Sequence, residues 1–240
     1  MNLDKFKELM NFHAQKINIV FNDEQLDKFY NYMSLLLEWN QKINLTAIIE
    51  PEEIILKHFI DSLTINDYIE KNKSLVDVGT GAGFPGIALK IYRPDLKITL
   101  VDSLNKRITF LDTVIANLKL DGIFTVHSRI EDFGKNKKYR ESFDYATARA
   151  VANLSVLSEY LVPVAKVGGN CICMKGSDIE DELKNAENAI SILGGQVCKV
   201  DKFNLPFSNI SRNVIVIGKV ESTPNRYPRK AGVPAREPLK

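Results

Sequence analysis

Hydrophobic residues recur at helical spacing through the first part of the chain. Up to about residue 73, apolar positions follow one another at steps of three and four, which is typical of amphipathic helices. Asn22 and Gln25 have the spacing of a capping box at the start of the second helix. Pro51 fits the first turn of a third helix. We therefore predict an N-terminal helical region over residues 1–73.

From residue 74 the pattern changes to short apolar strands that alternate with helical segments. Such alternation predicts a parallel sheet with helices on both faces, the doubly wound α/β architecture. The last two strands follow each other without a long helix between them, so we expect them to pair antiparallel. The predicted strands are 75–78, 98–101, 123–127, 143–148, 170–174, 196–201 and 213–220, and the predicted helices begin near Pro85, Ser103, Val151 and Asp178. We place this α/β domain at residues 74–224.

The composition is that of a folded globular protein and excludes several other classes. Of the 240 residues, 45% are hydrophobic and 26% are charged, which excludes a disordered or fibrous chain. No apolar run approaches the ~20 residues that cross a bilayer, and the charged first residues are unlike a secretory signal. The three cysteines form no disulfide framework, so we interpret Cys171 and Cys173 as core residues. We expect a cytoplasmic protein with no metal site and no membrane partner.

Positive charge is concentrated at the C-terminus. The whole chain has a net charge of +2, although residues 1–73 hold 8 Lys and Arg against 12 Asp and Glu. Residues 225–240 form a basic tail with five Lys and Arg, one acid and three prolines. Composition alone favours a solvated, disordered end for such a tail. The alternative is an arm that contacts the phosphates of a polyanion.

The most informative segment is LVDVGTGAGFPG at residues 75–86. A buried strand leads into three alternating glycines, Gly79, Gly81 and Gly83, and then into a helix. Glycine suits such a turn because the backbone must take positive φ and a ligand must lie against it. The segment also fits the dinucleotide pattern G-x-G-x-x-G, so by itself it leaves a nicotinamide-dependent oxidoreductase open.

Carboxylates at the ends of three successive strands narrow the ligand class. Asp77 stands where a dinucleotide turn usually has an apolar residue, and its charge suits a ligand with an amino group. Asp102 can accept hydrogen bonds from both ribose hydroxyls, and Glu131 from the exocyclic amine of a base. These acids fit a nucleoside joined to an amino acid. We therefore predict that S-adenosylmethionine binds at the three acids and the three glycines.

Eight motifs occur along the chain in a fixed order. They are N-L-T at 44–46, H-F-x-D-S-L at 58–63, D-V-G-T-G-A-G-F-P-G at 77–86, D-S-x-x-K-R at 102–107, R-x-E at 129–131, A-R-A at 148–150, K-G at 175–176 and Y-P-R-K-x-G-x-P at 227–234. In these motifs the chain resembles, over essentially its whole length, the bacterial small-subunit ribosomal RNA methyltransferase G family, also called glucose-inhibited division protein B. One departure is Ala231, where the family often has proline.

The resemblance implies a class I S-adenosylmethionine-dependent methyltransferase. Its fold is a Rossmann-like, mostly parallel seven-stranded sheet with a terminal antiparallel hairpin. The implied reaction is methyl transfer to N7 of a guanine in 16S ribosomal RNA, at the position conventionally numbered 527. The small ribosomal subunit is then the partner, and we expect the protein to act as a monomer. The family's cofactor site carries over onto Gly79, Phe84, Asp102, Ser103, Ile130, Glu131 and Arg149.

Arg149 is the candidate catalytic residue. Guanine N7 has a free lone pair, so methyl transfer to it needs no general base, and catalysis should rest on positioning. Two interpretations of Arg149 stay open: it orients the base through O6 or N7, or it holds the cofactor carboxylate. His58, Asp61 and Ser62 share one face of a helix. We favour a structural role for His58, with the rim of a guanine pocket as the alternative.

Basic residues in two places are candidates for RNA contact. Lys106 and Arg107 lie in the first turn of a helix, where a cation opposes the helix dipole. We predict RNA contact or support of the site for this pair, with solvated surface charge as the alternative. With the family resemblance, the tail is predicted to contact phosphates, and its tyrosine to stack on a base. The predicted RNA-binding residues of the tail are Arg226, Tyr227, Arg229 and Lys230.

Two other functions stay open beside the oxidoreductase. One is a methyltransferase that acts on another substrate, which mapping of the methyl group would decide. The other is a non-catalytic RNA-binding assembly factor, against which the intact Gly79, Asp102, Glu131 and Arg149 argue.

Overall fold

The structure is a computed structural model that describes residues 1–176 and 179–239. Its N-terminal part is helical, as predicted. The elements are α1 (Leu3–Ala14), α2 (Asp23–Asn40) and α3 (Pro51–Ile54), which continues through a π-helical turn (Ile55–Ile60) into α4 (Asp61–Leu63). The predicted capping box of α2 is confirmed, because Asn22 Oδ1 accepts from Gln25 N at 2.8 Å and Gln25 Oε1 accepts from Asn22 N at 3.0 Å.

A single seven-stranded sheet forms the centre of the molecule. Its strands are β1 (Ser74–Val78), β2 (Lys97–Asp102), β3 (Ile123–His127), β4 (Phe143–Arg149), β5 (Ala165–Lys175), β6 (Gly195–Asn204) and β7 (Ser211–Lys219). The order is β3-β2-β1-β4-β5-β7-β6, with β1 to β5 parallel and β7 antiparallel to both of its neighbours. The predicted α/β class, the strands and the terminal antiparallel hairpin are confirmed.

The strands β5 and β6 are longer than the sequence pattern indicates. β5 begins at residue 165 rather than 170, and β6 continues to residue 204 rather than 201. Three of the added β5 residues, Lys166, Val167 and Gly168, are exposed, so they lack the buried apolar signature on which the prediction relied.

Helices cover both faces of the sheet. They are α5 (Gly86–Tyr92), α6 (Asn105–Asn117), α7 (Ile130–Lys135), α8 (Leu154–Leu161), α9 (Glu180–Ile192) and α10 (Val233–Arg236). The helix predicted near Val151 begins at Leu154, because Asn153 Oδ1 accepts from Val156 N and caps it there. The predicted start near Asp178 lies outside the described residues. The short helices α7 and α10 were not predicted, because four to six residues carry little periodicity.

The N-terminal helices share one hydrophobic core with the sheet. The rings of Tyr32, Phe59 and Phe84 lie 5.3–5.9 Å apart and join α2 and the π-helical turn to the glycine-rich segment after β1. A second core on the other face contains α8, α9 and the buried Cys171 and Cys173, which confirms that these cysteines are core residues. The division of the chain at residue 73 stays a prediction, because the two regions are packed as one body of apolar side chains.

The C-terminal residues lie against the α/β domain. We call residues 223–239 the C-terminal strap. Arg140 Nη1 donates to the backbone oxygen of Tyr227 at 2.6 Å, and Arg140 Nη2 donates to that of Thr223 at 2.6 Å. Both contacts hold the start of the strap to the segment that precedes β4. Seven of the fifteen described residues from 225 to 239 are buried or half-buried, so the expectation of a fully solvated, disordered tail is wrong. Among the described residues, no helix is long and apolar enough to cross a membrane.

Candidate functional site

The turn after β1 requires its glycines. Gly79, Gly81 and Gly83 have φ values of +65°, +61° and +97°, a region that other residues rarely adopt. A Cβ on Gly79 would lie 2.9 Å from Val151 Cγ2, and a Cβ on Gly83 would lie 2.7 Å from the Tyr32 hydroxyl. A Cβ on Gly81 would come no closer than 4.0 Å to its nearest neighbour, the backbone oxygen of Gly79. The backbone at Gly81 therefore faces open space, as a turn that cradles a ligand must.

Asp77 lies beneath this turn and is fully buried. Its Oδ2 atom accepts hydrogen bonds from Thr80 Oγ1 at 2.6 Å and from Gly86 N at 2.8 Å. Its Oδ1 atom has no hydrogen-bond partner among the described residues. Burial raises the pKa of Asp77 to about 6, although these two hydrogen bonds oppose the rise. The carboxylate thus shapes the turn and keeps one unpaired oxygen.

Asp102, at the end of β2, is tied into the same turn. Asp102 Oδ2 accepts from Gly81 N at 3.0 Å and from Arg107 Nη1 at 3.2 Å, and Oδ1 accepts from Leu104 N at 2.9 Å. Of the alternatives for Arg107, these contacts favour support of the site over RNA contact, because its guanidinium is paired with a buried carboxylate. Lys106 is exposed, and its contact with RNA stays a prediction.

A cleft of about 270 Å³ lies at the carboxyl ends of β1, β2 and β3. Five predicted cofactor residues line it: Gly79, Asp102, Ser103, Ile130 and Glu131. The cleft is also lined by residues that the sequence analysis missed, which include Val151, Tyr160, Gly232 and Ala235. Gly232 is the glycine of the motif at 227–234, which was the one signal for it, whereas nothing in the sequence pattern links Ala235 to the site.

Arg149 does not line this cleft. Its guanidinium lies against the N-terminal helices, where Nη1 donates to Lys57 O at 3.0 Å and to Asp61 Oδ2 at 3.1 Å. The Arg149 guanidinium lies 5.0 Å from the centre of the Phe84 ring, and the His58 ring stacks on Phe84 at 4.5 Å. Phe84 is buried in this stack rather than lining the cleft. The structure therefore brings Arg149 and Phe84 together outside the cleft, and the predicted cofactor residues Asp77, Gly81 and Gly83 do not line it either.

His58 is held neutral by its neighbours. Arg149 Nη2 lies 3.1 Å from His58 Nδ1, and Thr46 Oγ1 lies 2.8 Å from His58 Nε2. Burial and the Arg149 charge lower the pKa of His58 to about 3. These contacts bring the N-L-T and H-F-x-D-S-L motifs to one place, and they support the structural role that we favoured for His58.

Asp61 bridges two arginines from distant parts of the chain. Arg149 Nη1 donates to Asp61 Oδ2, and Arg212 Nε donates to Asp61 Oδ1 at 3.0 Å. The Asp61 side chain is 3% exposed, so these two arginines are the partners that a buried carboxylate requires. Arg212 was missed by the sequence analysis, since it stands 151 residues from Asp61 and in none of the eight motifs.

A second pocket of about 430 Å³ opens beside these residues, and four cationic side chains line it. They are Lys57, Arg149, Lys175 and Arg212. His58, Asp61 and Ala150 also contribute to its lining. Arg149 and Ala150 face this pocket, whereas the next residue, Val151, lines the first cleft. The two pockets are therefore neighbours on either side of the segment that follows β4, which is an arrangement suited to passing a group from one ligand to another.

Comparison with known proteins decides the family. A model of the family described as rRNA small subunit methyltransferase G matches residues 25–214. This chain belongs to that family. It is 54% identical to a Ribosomal RNA small subunit methyltransferase G from Acetivibrio thermocellus, over 98% of this chain and 97% of that protein. It is 50% identical to one from Alkaliphilus oremlandii, over 98% of this chain and 100% of that protein. The predicted family is thereby confirmed.

The fold is also that of solved methyltransferases. A SAM dependent methyltransferase from Aquifex aeolicus superposes with a TM-score of 0.52 at 15% identity, over 75% of this chain and 97% of that one. At this identity the likeness concerns the fold alone. The predicted class I methyltransferase fold of this methyltransferase G family member is thereby confirmed.

The four predicted RNA-binding residues in the strap of this family member fall into two groups, exposed and packed. Arg226 and Lys230 are exposed, so their contact with RNA stays a prediction. Tyr227 is only 6% exposed and packs in the second hydrophobic core, which contradicts the prediction of a ring available for stacking. Arg229 is paired with Glu159, whose side chain is fully buried.

Within residues 1–176 and 179–239, no group of His, Cys, Asp and Glu side chains could hold a metal ion.

Proposed function

We propose that this protein transfers a methyl group from S-adenosylmethionine to N7 of a guanine in 16S ribosomal RNA, at the position conventionally numbered 527. Membership of the methyltransferase G family supports the coarser part, methylation of small-subunit ribosomal RNA. The observation that carries the proposal is the pair of adjoining pockets, one lined by carboxylates and one by cations, that meet at Arg149, Ala150 and Val151. We further propose that the protein acts in the cytoplasm as a monomer.

The first cleft fits the methyl donor. S-adenosylmethionine supplies, when bound, a methyl group on a positively charged sulfur. Asp102 and Ser103 would accept and donate hydrogen bonds at the ribose, and Glu131 would accept from the adenine amine. The unpaired Oδ1 of Asp77 gives the amino end of the donor a negative field, and the bare backbone at Gly81 leaves room for it. The carboxylates of Asp102 and Glu131, which line the cleft, and the buried Asp77 beneath the neighbouring turn suit a cationic ligand and oppose a pyrophosphate, which weakens the oxidoreductase alternative.

The second pocket fits the nucleotide that accepts the methyl group. Its lining holds four cationic side chains against one carboxylate, Asp61, which two of the cations share, and this excess of positive charge would attract the phosphates of RNA. Arg149 would orient the guanine, because it lines this pocket rather than the donor cleft, and because no hydrogen bond among the described residues occupies its Nε–H. Of the two interpretations of Arg149, we therefore propose orientation of the base.

No proton has to be removed from the base during this reaction. The lone pair of N7 attacks the methyl carbon, and the bond from that carbon to sulfur breaks. A general base is therefore unnecessary, and a neutral, fully engaged His58 is consistent with that chemistry. The residues of both pockets act by holding the two ligands in line, which can contribute about 7–11 kcal/mol to lowering the barrier.

The deciding experiment maps the methyl group. Primer extension and mass mapping would compare 16S RNA from cells with and without this protein, and purified protein would be added back with methyl-labelled S-adenosylmethionine. We expect N7-methylguanine at one position only in the presence of the protein. A methyl group on another nucleotide or molecule would support the alternative substrate, and binding without any transfer would support the assembly factor.

A further inference from the structure

The C-terminal strap is anchored by a buried ion pair. Arg229 donates to Glu159 through its backbone N at 2.7 Å, through Nε at 3.0 Å and through Nη2 at 2.7 Å. The Glu159 side chain is 0% exposed, and it lies on α8 between the sheet and the strap. A buried carboxylate is strongly destabilising unless it is paired and hydrogen-bonded, so Glu159 requires this arginine at this position.

Three residues beyond the anchor, the strap reaches the donor cleft. Gly232 N donates to Glu131 Oε1 at 2.8 Å, and Glu131 is 4% exposed. Gly232 has a φ of +82°, which turns its N–H toward the cleft at a point where other residues would be strained. Gly232 and Ala235 then form part of the lining of the cleft, together with Asp102.

We propose that Arg229 and Glu159 are positioning residues for the methyl donor, and that the strap they anchor is a wall of the donor cleft rather than an RNA-binding arm at this point. The proposal rests on the proposed function, because it takes the cleft to be the site of S-adenosylmethionine. The ion pair fixes the strap, the strap fixes Gly232, and the Gly232 N–H fixes the Glu131 carboxylate. One oxygen of that carboxylate, Oε1, accepts the Gly232 N–H, and Glu131 lines the cleft in which the donor would bind.

Two observations separate this role from phosphate contact. The Arg229 guanidinium already makes three hydrogen bonds to Glu159, through Nε to both oxygens and through Nη2 to one. The neighbouring cations Arg226 and Lys230 are exposed, whereas Arg229 is half-buried and its pKa is raised by the Glu159 carboxylate. An arginine committed to a buried acid contributes little to a field that RNA could sense.

The test measures binding of S-adenosylmethionine and of RNA separately. The main variant is Glu159→Gln with Arg229→Gln, which removes both charges and leaves neither buried without a partner. A second variant, Arg229→Lys, keeps the cation that Glu159 needs but loses the planar pair of contacts. The matched control is Arg236→Gln, also in the strap, where a basic side chain is 74% exposed. Calorimetry gives the Kd for S-adenosylmethionine, filter binding gives that for a 16S RNA fragment, and thermal melts verify folding.

We expect the double variant to raise the Kd for S-adenosylmethionine at least tenfold and Arg229→Lys to raise it three- to tenfold. The Kd for RNA should change less than twofold in both, and in methyl transfer the KM for the donor should rise with kcat nearly constant. Arg236→Gln should leave the donor Kd unchanged. Unchanged donor affinity in a folded double variant, or a loss confined to RNA affinity, would overturn the proposal. Wild-type protein that binds no S-adenosylmethionine would instead overturn the proposed function, and this inference with it.

Discussion

Arg149 Nη2 donates to His58 Nδ1 across 3.1 Å. A guanidinium has N–H groups and no acceptor, so Nδ1 must carry a lone pair and the imidazole proton must reside on Nε2, where it faces Thr46 Oγ1 at 2.8 Å. Protonation of His58 would place an N–H against the arginine. The neutral imidazole is therefore part of what fixes Arg149 at the second pocket.

This relationship predicts that His58 makes the folded state sensitive to acid. Its pKa is about 3 when folded and near 6.5 when unfolded, so below pH 6.5 the unfolded state binds the extra proton and stability falls. The loss should be about 2 kcal/mol between pH 7 and pH 5. Urea unfolding at both pH values would measure it, with His58→Gln as the comparison.

In His58→Gln this part of the pH dependence should disappear, because an amide can accept from Arg149 and donate to Thr46 without titrating. His13, whose pKa is also lowered by burial, is present in both proteins and cancels in the difference. Equal loss of stability in the two proteins would show that His58 is not held neutral.

Arg149→Ala should impair methyl transfer more than folding. The variant loses the donor that we propose for the guanine, so kcat/KM should fall at least tenfold with saturating S-adenosylmethionine. It also leaves Asp61 with Arg212 as its remaining arginine partner and should lose about 1–3 kcal/mol of stability. Steady-state methyl transfer and urea unfolding would be measured on the same preparation.

The matched control for this variant is Arg93→Ala. Arg93 is 13% exposed against 14% for Arg149, and it also donates to a carboxylate, Asp95, and to a backbone oxygen, that of Ile69. Arg93 lies near the amino ends of β1 and β2 and lines neither pocket, so the variant should lose comparable stability with little change in kcat/KM. Normal turnover by Arg149→Ala would exclude a role for Arg149 in the reaction.

The sheet and the position of the first cleft could be predicted because their signals are local in sequence. A buried strand, a glycine turn and the acid after the next strand lie within residues 74–102, and parallel strands bring their carboxyl ends to one edge. Each such residue is placed by the element to which it belongs. The prediction therefore needed only the strand pattern and the order of the motifs.

The second pocket could not be predicted in the same way. Arg212 meets Asp61 because the helices of residues 51–63 pack against the end of β7, and that packing depends on side chains throughout the first core. The role of Arg229 in the strap could not be predicted either. The sequence indicates a free cation at this position, and only the fold places the buried Glu159 of α8 beside it. Composition describes both arginines as surface charge, and only tertiary contacts assign them partners.

Asp77→Asn should weaken binding of S-adenosylmethionine while sparing the fold. The folded pKa of Asp77, about 6, lies above its unfolded value, so the stability contributed by its protonated form is complete below the unfolded pKa and is lost as pH rises through 6. At pH 7.5 the amide variant should be as stable as wild type or more stable by up to about 3 kcal/mol. Calorimetry should show at least a tenfold higher Kd, because the negative charge opposite the amino group is gone.

The control for this variant is Asp144→Asn. Asp144 Oδ2 accepts from Ser74 N at 2.9 Å and from Ser74 Oγ at 2.6 Å, at the far end of β1 from the turn. Its hydrogen bonds and the Lys166 charge lower its pKa, so this variant should lose stability at neutral pH and keep its affinity for the donor. An unchanged donor Kd in Asp77→Asn would remove Asp77 from the cofactor site.

Charge removal at the exposed cations should change the salt dependence of RNA binding. Lys106, Arg226 and Lys230 are exposed, and the predicted phosphate contacts of this protein depend on them. A contact that neutralises a phosphate contributes about −0.7 to the slope of log K against log salt for single-stranded RNA and about −0.9 for B-DNA. Replacing all three by Gln should therefore reduce the magnitude of the slope by about 2 and weaken binding most at low salt. Filter binding of a 16S RNA fragment between about 50 and 200 mM salt covers the useful range.

The same triple variant should bind S-adenosylmethionine as wild type does, since none of these side chains lines the donor cleft. A parallel salt series with an unchanged slope would mean that RNA is held by other residues, and the cationic lining of the second pocket, Lys57, Lys175 and Arg212, would be the next set to replace.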